Sequence, residues 1–410
     1  MTSPSIVVTG LGILSPLGED VATFWSALEC GRSAIGPIRA FDATSCPVRI
    51  AAELPREPRP LGLDGLTKLL RRSSRFGVTA ALDAVADAQL NTARRRGAVY
   101  VAALPSELDH DTSLRLTARA DLDVRSMDPV HLYRHLPSNV AYGIACALHL
   151  RCPSFVISSA CAAGAIAIGE AFLALRRGEC DWALAGGTCA PITPLGIVGL
   201  ALIRALTTRT DDRACCPFDA TRSGFVLGEG AAMLVLERAD AAAARGARAY
   251  GAITGYGASM DGCAAVTDPD PSAEGAVRAM RAALDSARCP CAEVDCIKAH
   301  GTSTRVNDRM ETRAIRRTFG ARAGAIPVTA PKSMLGHSLT AAGAMETVVA
   351  LGMLQRQVIP PTINYAVRDP ECDLDYVPNV ARRQRIETVL AHSFGLGGQN
   401  AALVLCRYPG

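Results

Sequence analysis

The sequence predicts an α/β protein made of two similar halves, and two observations support this prediction. Short apolar, β-branched segments alternate along the chain with helix-favouring segments, which is the pattern of alternating strands and helices. The sequence Ala-Ala-Gly-Ala occurs at residues 162–165 and again at 341–344, each time after an apolar strand and a polar turn. Alanine-rich helices match one another easily by chance, so the repeat indicates a duplication without proving it. We place the halves at residues 1–253 and 254–410, although 410 residues also fit two or three ordinary domains.

Each element of the first half is predicted from its own pattern. Residues 5–12 are apolar and end in glycines, whereas residues 30–66 are rich in Pro, Gly and charge and predict a surface excursion. Apolar residues that recur on one face predict a long helix at 66–90. The predicted elements are, in order, strand 5–12, helix 21–28, helix 66–90, strand 99–104, helix 137–148, strand 155–157, a helix from residue 162, strand 183–187, and a loop and strand over 218–230.

The second half begins near Ile253 and repeats this alternation of strands and helices. The dipeptides at residues 360–361 and 369–370 contain proline and mark loops. Residues 389–394 begin with three apolar residues and predict a closing strand.

Composition limits the classes of protein to consider. An apolar fraction of 49% is ample for a large core, and a net charge of +4 is too small on this length to indicate nucleic-acid binding. No apolar run approaches the length of a membrane span. Of 43 basic residues only three are lysine, and we attribute that preference for arginine to codon usage rather than to function.

The fifteen cysteines are scattered along the chain and follow no signal peptide, so we expect a reducing cytoplasm rather than a disulfide scaffold. Cys289, Cys291, Cys296 and His300 invite a zinc-site hypothesis. Their spacing matches no standard ligand pattern, and Cys296 belongs to an apolar run. We therefore expect no metal.

One cysteine, Cys161, occupies a position with chemical consequences. It lies on the predicted turn between the strand at 155–157 and the helix that follows. A helix start stabilises an anion, so we expect a lowered thiol pKa here. Small residues on its C-terminal side leave room for an acyl group. The alternative is a small buried apolar residue, the usual role of a free cysteine, unless a histidine lies nearby in the fold.

Two of the seven histidines lie in segments that favour such a role. His300 is in the Gly- and hydroxyl-rich segment 298–304, which follows an apolar strand. His337 is in the segment 332–338, which precedes the second small-residue helix.

Four motifs in this order resemble those of the β-ketoacyl-acyl-carrier-protein synthases, which are condensing enzymes of the thiolase fold. The motifs are Ser159-Ala-Cys-Ala-Ala-Gly164, Ala299-His-Gly-Thr-Ser-Thr304, Lys332-Ser-Met-Leu-Gly-His337 and Ser393-Phe-Gly-Leu-Gly-Gly398. The resemblance runs from residue 7 almost to the C-terminus. It implies a thiolase fold of duplicated αβαβα layered halves with mixed five-stranded sheets, the nucleophilic cysteine in the first half and the histidine pair in the second.

The resemblance also implies the reaction and its residues. Cys161 would hold an acyl group, and His300 and His337 would assist decarboxylation of a malonyl thioester and the Claisen condensation that follows. Lys332 would orient the site electrostatically with Glu346 as its charge partner. No cofactor is implied, because the substrates are carried on the phosphopantetheine arm of an acyl carrier protein.

Further site residues follow from the same motifs. Backbone N–H groups of Cys161 and Phe394 would form an oxyanion hole, and Phe394 would gate the acyl pocket on a glycine-rich loop. Leu396 stands where many relatives carry a second phenylalanine, so gating is expected to differ. Thr302 and Thr304 would bind the phosphopantetheine arm, the alternative being ordinary hydrogen bonds to local backbone.

Basic residues near the pocket mouth are expected to dock the acidic carrier protein, the alternative being an ordinary solvated face. These residues are Lys68, Arg71, Arg72, Arg204 and Arg209.

The pathway and the partner stay open at this stage. Residues 307–312 and 369–378 resemble polyketide ketosynthase subunits, which usually pair with a chain-length-factor subunit that lacks the cysteine, whereas residues 393–400 resemble the fatty-acid type. We therefore expect either a homodimer or such a heterodimer. The alternatives are housekeeping fatty-acid elongation and a non-catalytic partner subunit, and the intact Cys161 and histidine pair oppose the second. Residues 103–106 replace a glycine-rich loop of many relatives, so the length of the acyl chain is not transferable.

Overall fold

The computed structural model describes residues 5–58, 65–94, 96–104, 129–262, 267 and 269–408. Pro105 and Ser106, part of the predicted departure from the family loop, lie outside these residues. The strands are β1 Ile6–Leu14, β2 Gly36–Pro37, β3 Ile50–Ala51, β4 Gly97–Ala102, β5 Ser154–Ile157, β6 Trp182–Cys189, β7 Gly230–Arg238, β8 Gly251–Met260, β9 Cys296–Lys298, β10 Val328–Thr329, β11 Val358–Ile359, β12 Arg382–Arg383, β13 Thr388–Gly395 and β14 Gln399–Cys406. The α-helices are α1 Val21–Glu29, α2 Arg72–Asp87, α3 Pro129–His135, α4 Asn139–Ala147, α5 Ala163–Arg177, α6 Pro194–Leu202, α7 Ala239–Ala244, α8 Glu274–Ala287, α9 Arg305–Phe319, α10 Lys332–Leu335 and α11 Ala342–Arg356.

Ten strands form one continuous sheet with an internal symmetry. The order is β10-β9-β13-β14-β8-β1-β7-β6-β4-β5, and the two five-stranded halves meet where β1 pairs antiparallel with β8. In each half the three outer strands run parallel and the remaining pairings are antiparallel. The predicted α/β fold with duplicated, mixed five-stranded halves is confirmed. A boundary at residue 253 falls inside β8, so we propose that the halves divide just before Gly251.

Helices α5 and α11 lie against each other between the two halves of the sheet, and their contact explains the repeated Ala-Ala-Gly-Ala. A Cβ atom on Gly164 would lie 2.8 Å from the backbone nitrogen of Ala344. A Cβ atom on Gly343 would lie 2.5 Å from the backbone nitrogen of Ala165. Such distances exclude any side chain, so small residues on both helices are a packing requirement.

The start of the long second helix differs from its prediction. Residues 65–70 form turns and α2 begins only at Arg72, because Arg71 is extended and donates its backbone N–H to the Asn139 side chain at 3.2 Å. The predicted helix at 137–148 is α4. Among the helices described, none combines the length and the apolar character needed to cross a membrane.

Candidate active site

Cys161 lies on a sharp turn between β5 and α5. Ala160 adopts φ +46°, a left-handed conformation that a residue with a Cβ atom rarely takes, and the Ala163 N–H closes the turn on the Ala160 carbonyl at 3.1 Å. Strained backbone of this kind is concentrated at functional sites. Cys161 is buried and lines a cavity of about 250 Å³.

The predicted lowering of the Cys161 pKa is wrong for the resting protein. Burial raises the pKa of the thiol to about 11 and outweighs the charge of Lys332 and the backbone N–H groups of Leu396 and Cys161, which act in the opposite direction. Cys161 also precedes the residue that caps α5, so it is not within the helix itself. The sulfur therefore rests as a neutral thiol.

His300 and His337 line the same cavity as Cys161. Their ring centroids are 5.3 Å apart and their planes nearly perpendicular. Burial, reinforced by the charge of Lys332, holds the pKa of both imidazoles well below the ordinary value. Both rings are therefore neutral near pH 7, and each has one N–H to donate.

Lys332 fixes the His300 side chain from behind. Its Nζ donates to the His300 carbonyl oxygen at 2.6 Å, lies 3.2 Å from His300 Nδ1 and also contacts the Glu346 carboxylate. The predicted pairing of Lys332 with Glu346 is present. Because an ammonium group has no acceptor, Nδ1 of His300 must accept the hydrogen bond, and Nε2 then carries the proton.

The assignment of Phe394 as the gate and as an oxyanion donor must be revised. Phe394 lies within strand β13, is buried, and stacks on the His392 ring at 4.9 Å, so it is not on a loop. The turn that follows contains Gly397 at φ +83° and carries Leu396, and the Leu396 N–H is the one that faces the Cys161 sulfur. Phe394 and Leu396 both line the cavity.

Thr302 and Thr304 also line the cavity, and their hydroxyl oxygens are 3.0 Å apart. Thr304 caps helix α9 by accepting the Asn307 N–H at 3.2 Å. Thr304 therefore makes the local hydrogen bond that was the alternative prediction, and both threonines also face the cavity.

The five predicted docking residues do not form one exposed patch. Arg71 is buried and donates to the Leu104 carbonyl oxygen at 2.9 Å, and Arg72 is bound to Glu229 and Glu57. These two arginines support the fold.

The remaining basic residues differ from one another in their surroundings. Lys68 is exposed, and Arg209 pairs with Asp211 at 2.8 Å. Arg204 is exposed at the cavity, where Arg305 joins it as a residue that the sequence argument missed. The cavity therefore has two exposed arginines at its mouth.

Three buried residues behind the cavity were also missed: Lys298, Glu311 and His392. Glu311 accepts the backbone N–H groups of His300 at 2.5 Å and Gly301 at 2.8 Å. It also contacts His392 Nε2 at 2.5 Å. The scarcity of lysine was a signal for Lys298, because two of the three lysines prove to be buried together.

Comparisons with known proteins agree with this geometry. The family model described as "Beta-ketoacyl synthase, N-terminal domain" matches residues 3–242, and its C-terminal counterpart matches residues 250–366. The chain is 40% identical over 414 residues to 3-oxoacyl-acyl-carrier-protein synthase 2 of Coxiella burnetii, covering 99% of each chain. It is 40% identical over 417 residues, 98% of each chain, to a Streptomyces halstedii protein named as a polyketide beta-ketoacyl synthase.

Solved structures give the same result. The ishigamide ketosynthase/chain length factor superposes with a TM-score of 0.92 at 34% identity, over 100% of both chains. A type II ketosynthase solved with its acyl-carrier protein and a hexaketide superposes with a TM-score of 0.89 at 30% identity, over 99% of this chain and 100% of that one. The thiolase fold is confirmed, and this chain belongs to the beta-ketoacyl synthase family of acyl-transferring condensing enzymes.

Proposed function

We propose that this protein condenses an acyl group held on Cys161 with a malonyl group carried by an acyl carrier protein. The observation that supports the proposal most directly is the placement of Cys161 with two neutral histidines around one cavity. A non-catalytic partner subunit has no use for that set.

The first step is acyl transfer to sulfur. Since burial holds the pKa of the Cys161 thiol near 11, the thiol loses its proton only as it attacks the acyl thioester, and that proton passes to the departing carrier sulfur. The bond between the acyl carbon and the carrier sulfur breaks, and the carrier leaves as a thiol. We assign the oxyanion to the N–H groups of Cys161 and Leu396, because both act on the Cys161 sulfur.

The second step uses the histidines as donors. A malonyl thioester that loses CO₂ develops negative charge on its carbonyl oxygen, and two neutral imidazole N–H groups stabilise that charge. The enolate carbon then attacks the acyl carbonyl, and the thiolate of Cys161 departs and takes up a proton. The product is a 3-oxoacyl thioester on the carrier.

The carrier and its arm are expected to approach through the mouth of the cavity. Arg204 and Arg305 supply positive charge there, and Thr302 and Thr304 offer hydroxyl groups to a phosphopantetheine arm. We expect no cofactor beyond that arm. The many cysteines suit a reducing compartment, and we place the protein in the cytoplasm.

We favour a dissociated polyketide or fatty-acid pathway, with a second copy or a chain-length-factor subunit as partner. The ishigamide ketosynthase/chain length factor supports the heterodimer, and the Coxiella burnetii relative supports the fatty-acid alternative. Gating of the acyl pocket falls to Leu396 on the glycine turn rather than to Phe394.

Acyl loading tests the function. Purified protein is incubated with acyl-carrier protein and its intact mass is measured. Wild type should gain one acyl group and Cys161→Ala none, because Cys161 is the only cysteine among the described residues that line the cavity. Stoichiometric acylation of Cys161→Ala at another residue would overturn the assignment.

A further inference from the structure

A closed ring of hydrogen bonds surrounds the backbone of His300. Lys298 and Lys332 both contact the Glu346 carboxylate, and Lys332 donates to the His300 carbonyl oxygen at 2.6 Å. The His300 N–H donates to Glu311 at 2.5 Å. The ring is completed by two further contacts, His392 Nε2 to Glu311 at 2.5 Å and Lys298 Nζ to the His392 carbonyl oxygen at 2.9 Å.

The ring is electrically balanced and sealed from solvent. Its two ammonium groups face two carboxylates, and every member is at most 2% exposed. Burial holds the pKa of His392 below its ordinary value, so this ring member is neutral and donates Nε2–H to Glu311. Buried charges are stable only when each is paired with an opposite charge, so removing one charged member of the ring destabilises the others.

Lys298 and His392 link several elements of the second half behind the cavity. Lys298 is the last residue of strand β9, two residues before His300. Its ammonium group contacts both helix α11 and strand β13. His392 lies on β13, two residues before Phe394, and reaches helix α9 through Glu311. Neither residue lines the cavity.

We propose that Lys298 and His392 are positioning residues for decarboxylation, which hold His300 and Lys332 in place through Glu346 and Glu311. The inference rests on the proposed function and adds two residues to its site. It also explains the lysines. A chain that uses arginine for nearly all its basic residues has lysine at both ring positions, where a compact, titratable point charge differs from a planar guanidinium.

The ring gives the reaction a pH limit. Burial lowers the pKa of Lys298 to about 8, against the opposing charge of Glu346. The charged or titratable groups around it are Glu346, Lys332, Glu311, His300, His337 and His392. Below pH 8 Lys298 is an ammonium group and the ring is neutral. Above pH 8 Lys298 loses its proton and the ring carries an unpaired negative charge, so decarboxylation should slow.

The test measures CO₂ release from malonyl-carrier protein between pH 6 and 10 in the full-length protein. Wild type should lose activity as the pH rises through about 8. Lys298→Met should lower kcat by up to about 100-fold with little change in KM, because a small misplacement of a reacting group costs about that much. The pH profile of this variant should lack the inflection. Lys298→Arg, which stays charged, should recover part of kcat, also without the inflection.

Three further variants separate a loss of positioning from simple unfolding. Arg385→Met removes one positive charge from an exposed side chain that precedes the start of β13, at the end of the strand far from Phe394. This variant should match wild type. His392→Asn retains a donor for Glu311 and should exceed His392→Ala severalfold. If the pH profile of Lys298→Met keeps the wild-type inflection, or if the two His392 variants release CO₂ at equal rates, the positioning role is wrong and the proposed function still stands. If wild type releases no CO₂ at any pH, the proposed function fails, and this inference with it.

Discussion

The two halves place different chemistry at the same point of the same scaffold. In the first half, β5 and α5 are joined by residues 158–162, and this short turn presents Cys161. In the second half, the equivalent strand β10 and helix α11 are joined by residues 330–341, which contain Lys332 and His337. The two helices touch through their glycines, so the two segments meet at one cavity.

The difference shows how one fold holds both a nucleophile and a site for developing negative charge. The short turn contains only small residues beside the sulfur, and burial keeps the thiol neutral. The longer segment brings a lysine with it, and the ion pairs lie behind the histidines rather than in the cavity. Burial thus leaves all three reacting side chains uncharged, so charge appears on the reacting atoms only during the reaction.

The largest predicted effect separates the chemistry of the two halves. His300→Ala and His337→Ala should each lower decarboxylation of malonyl-carrier protein by about 10²- to 10³-fold, the usual cost of losing one donor to a developing oxyanion. Acyl loading on Cys161 should fall much less. Rates of CO₂ release and intact-mass measurements give both values, and wild-type decarboxylation in both variants would refute the donor role.

A smaller effect tests the contact between the halves. Gly343→Val places a side chain where the backbone of Ala165 lies, and overpacking of this kind should cost about 1–3 kcal/mol of unfolding free energy. Gly199→Val is the matched control, since Gly199 also lies in a helix and a Cβ atom there meets nothing within 4 Å. Denaturant unfolding measures both. A Gly343 variant no less stable than the Gly199 variant would contradict the helix contact.

The smallest effect concerns the mouth of the cavity. Arg204→Glu should raise KM for carrier-bound substrates roughly two- to fivefold, the size of an exposed charge pair, and leave free thioesters nearly unaffected. Added salt should reduce the difference, because exposed charges are screened beyond about 10 Å at 0.1 M. Arg72→Glu places a carboxylate beside Glu229 and should instead impair both substrates through the fold. Equal losses on both substrates for Arg204→Glu would exclude docking there.

The sequence allowed the fold and the reacting residues to be predicted, because strand and helix patterns are local and the motifs lie on single segments. Two of the failed site predictions, the pKa of Cys161 and the exposure of Arg71 and Arg72, failed because they depend on packing. The pKa of Cys161 is set by how completely neighbouring elements bury it, and the exposure of Arg71 and Arg72 by residues far away in the chain, such as Asn139 and Glu229. Lys298 and His392 were missed for the same reason, since the ring joins five separate segments.

The division of labour between the halves is tested most directly with Cys161→Gln, whose side-chain amide imitates the acylated sulfur. CO₂ release from malonyl-carrier protein is measured in this variant and in a His300→Ala, His337→Ala double variant, with intact mass recorded for both. Cys161→Gln should release CO₂ without an acyl adduct, and the double variant should form the adduct on Cys161 without releasing CO₂. Loss of both activities in both variants would contradict the account.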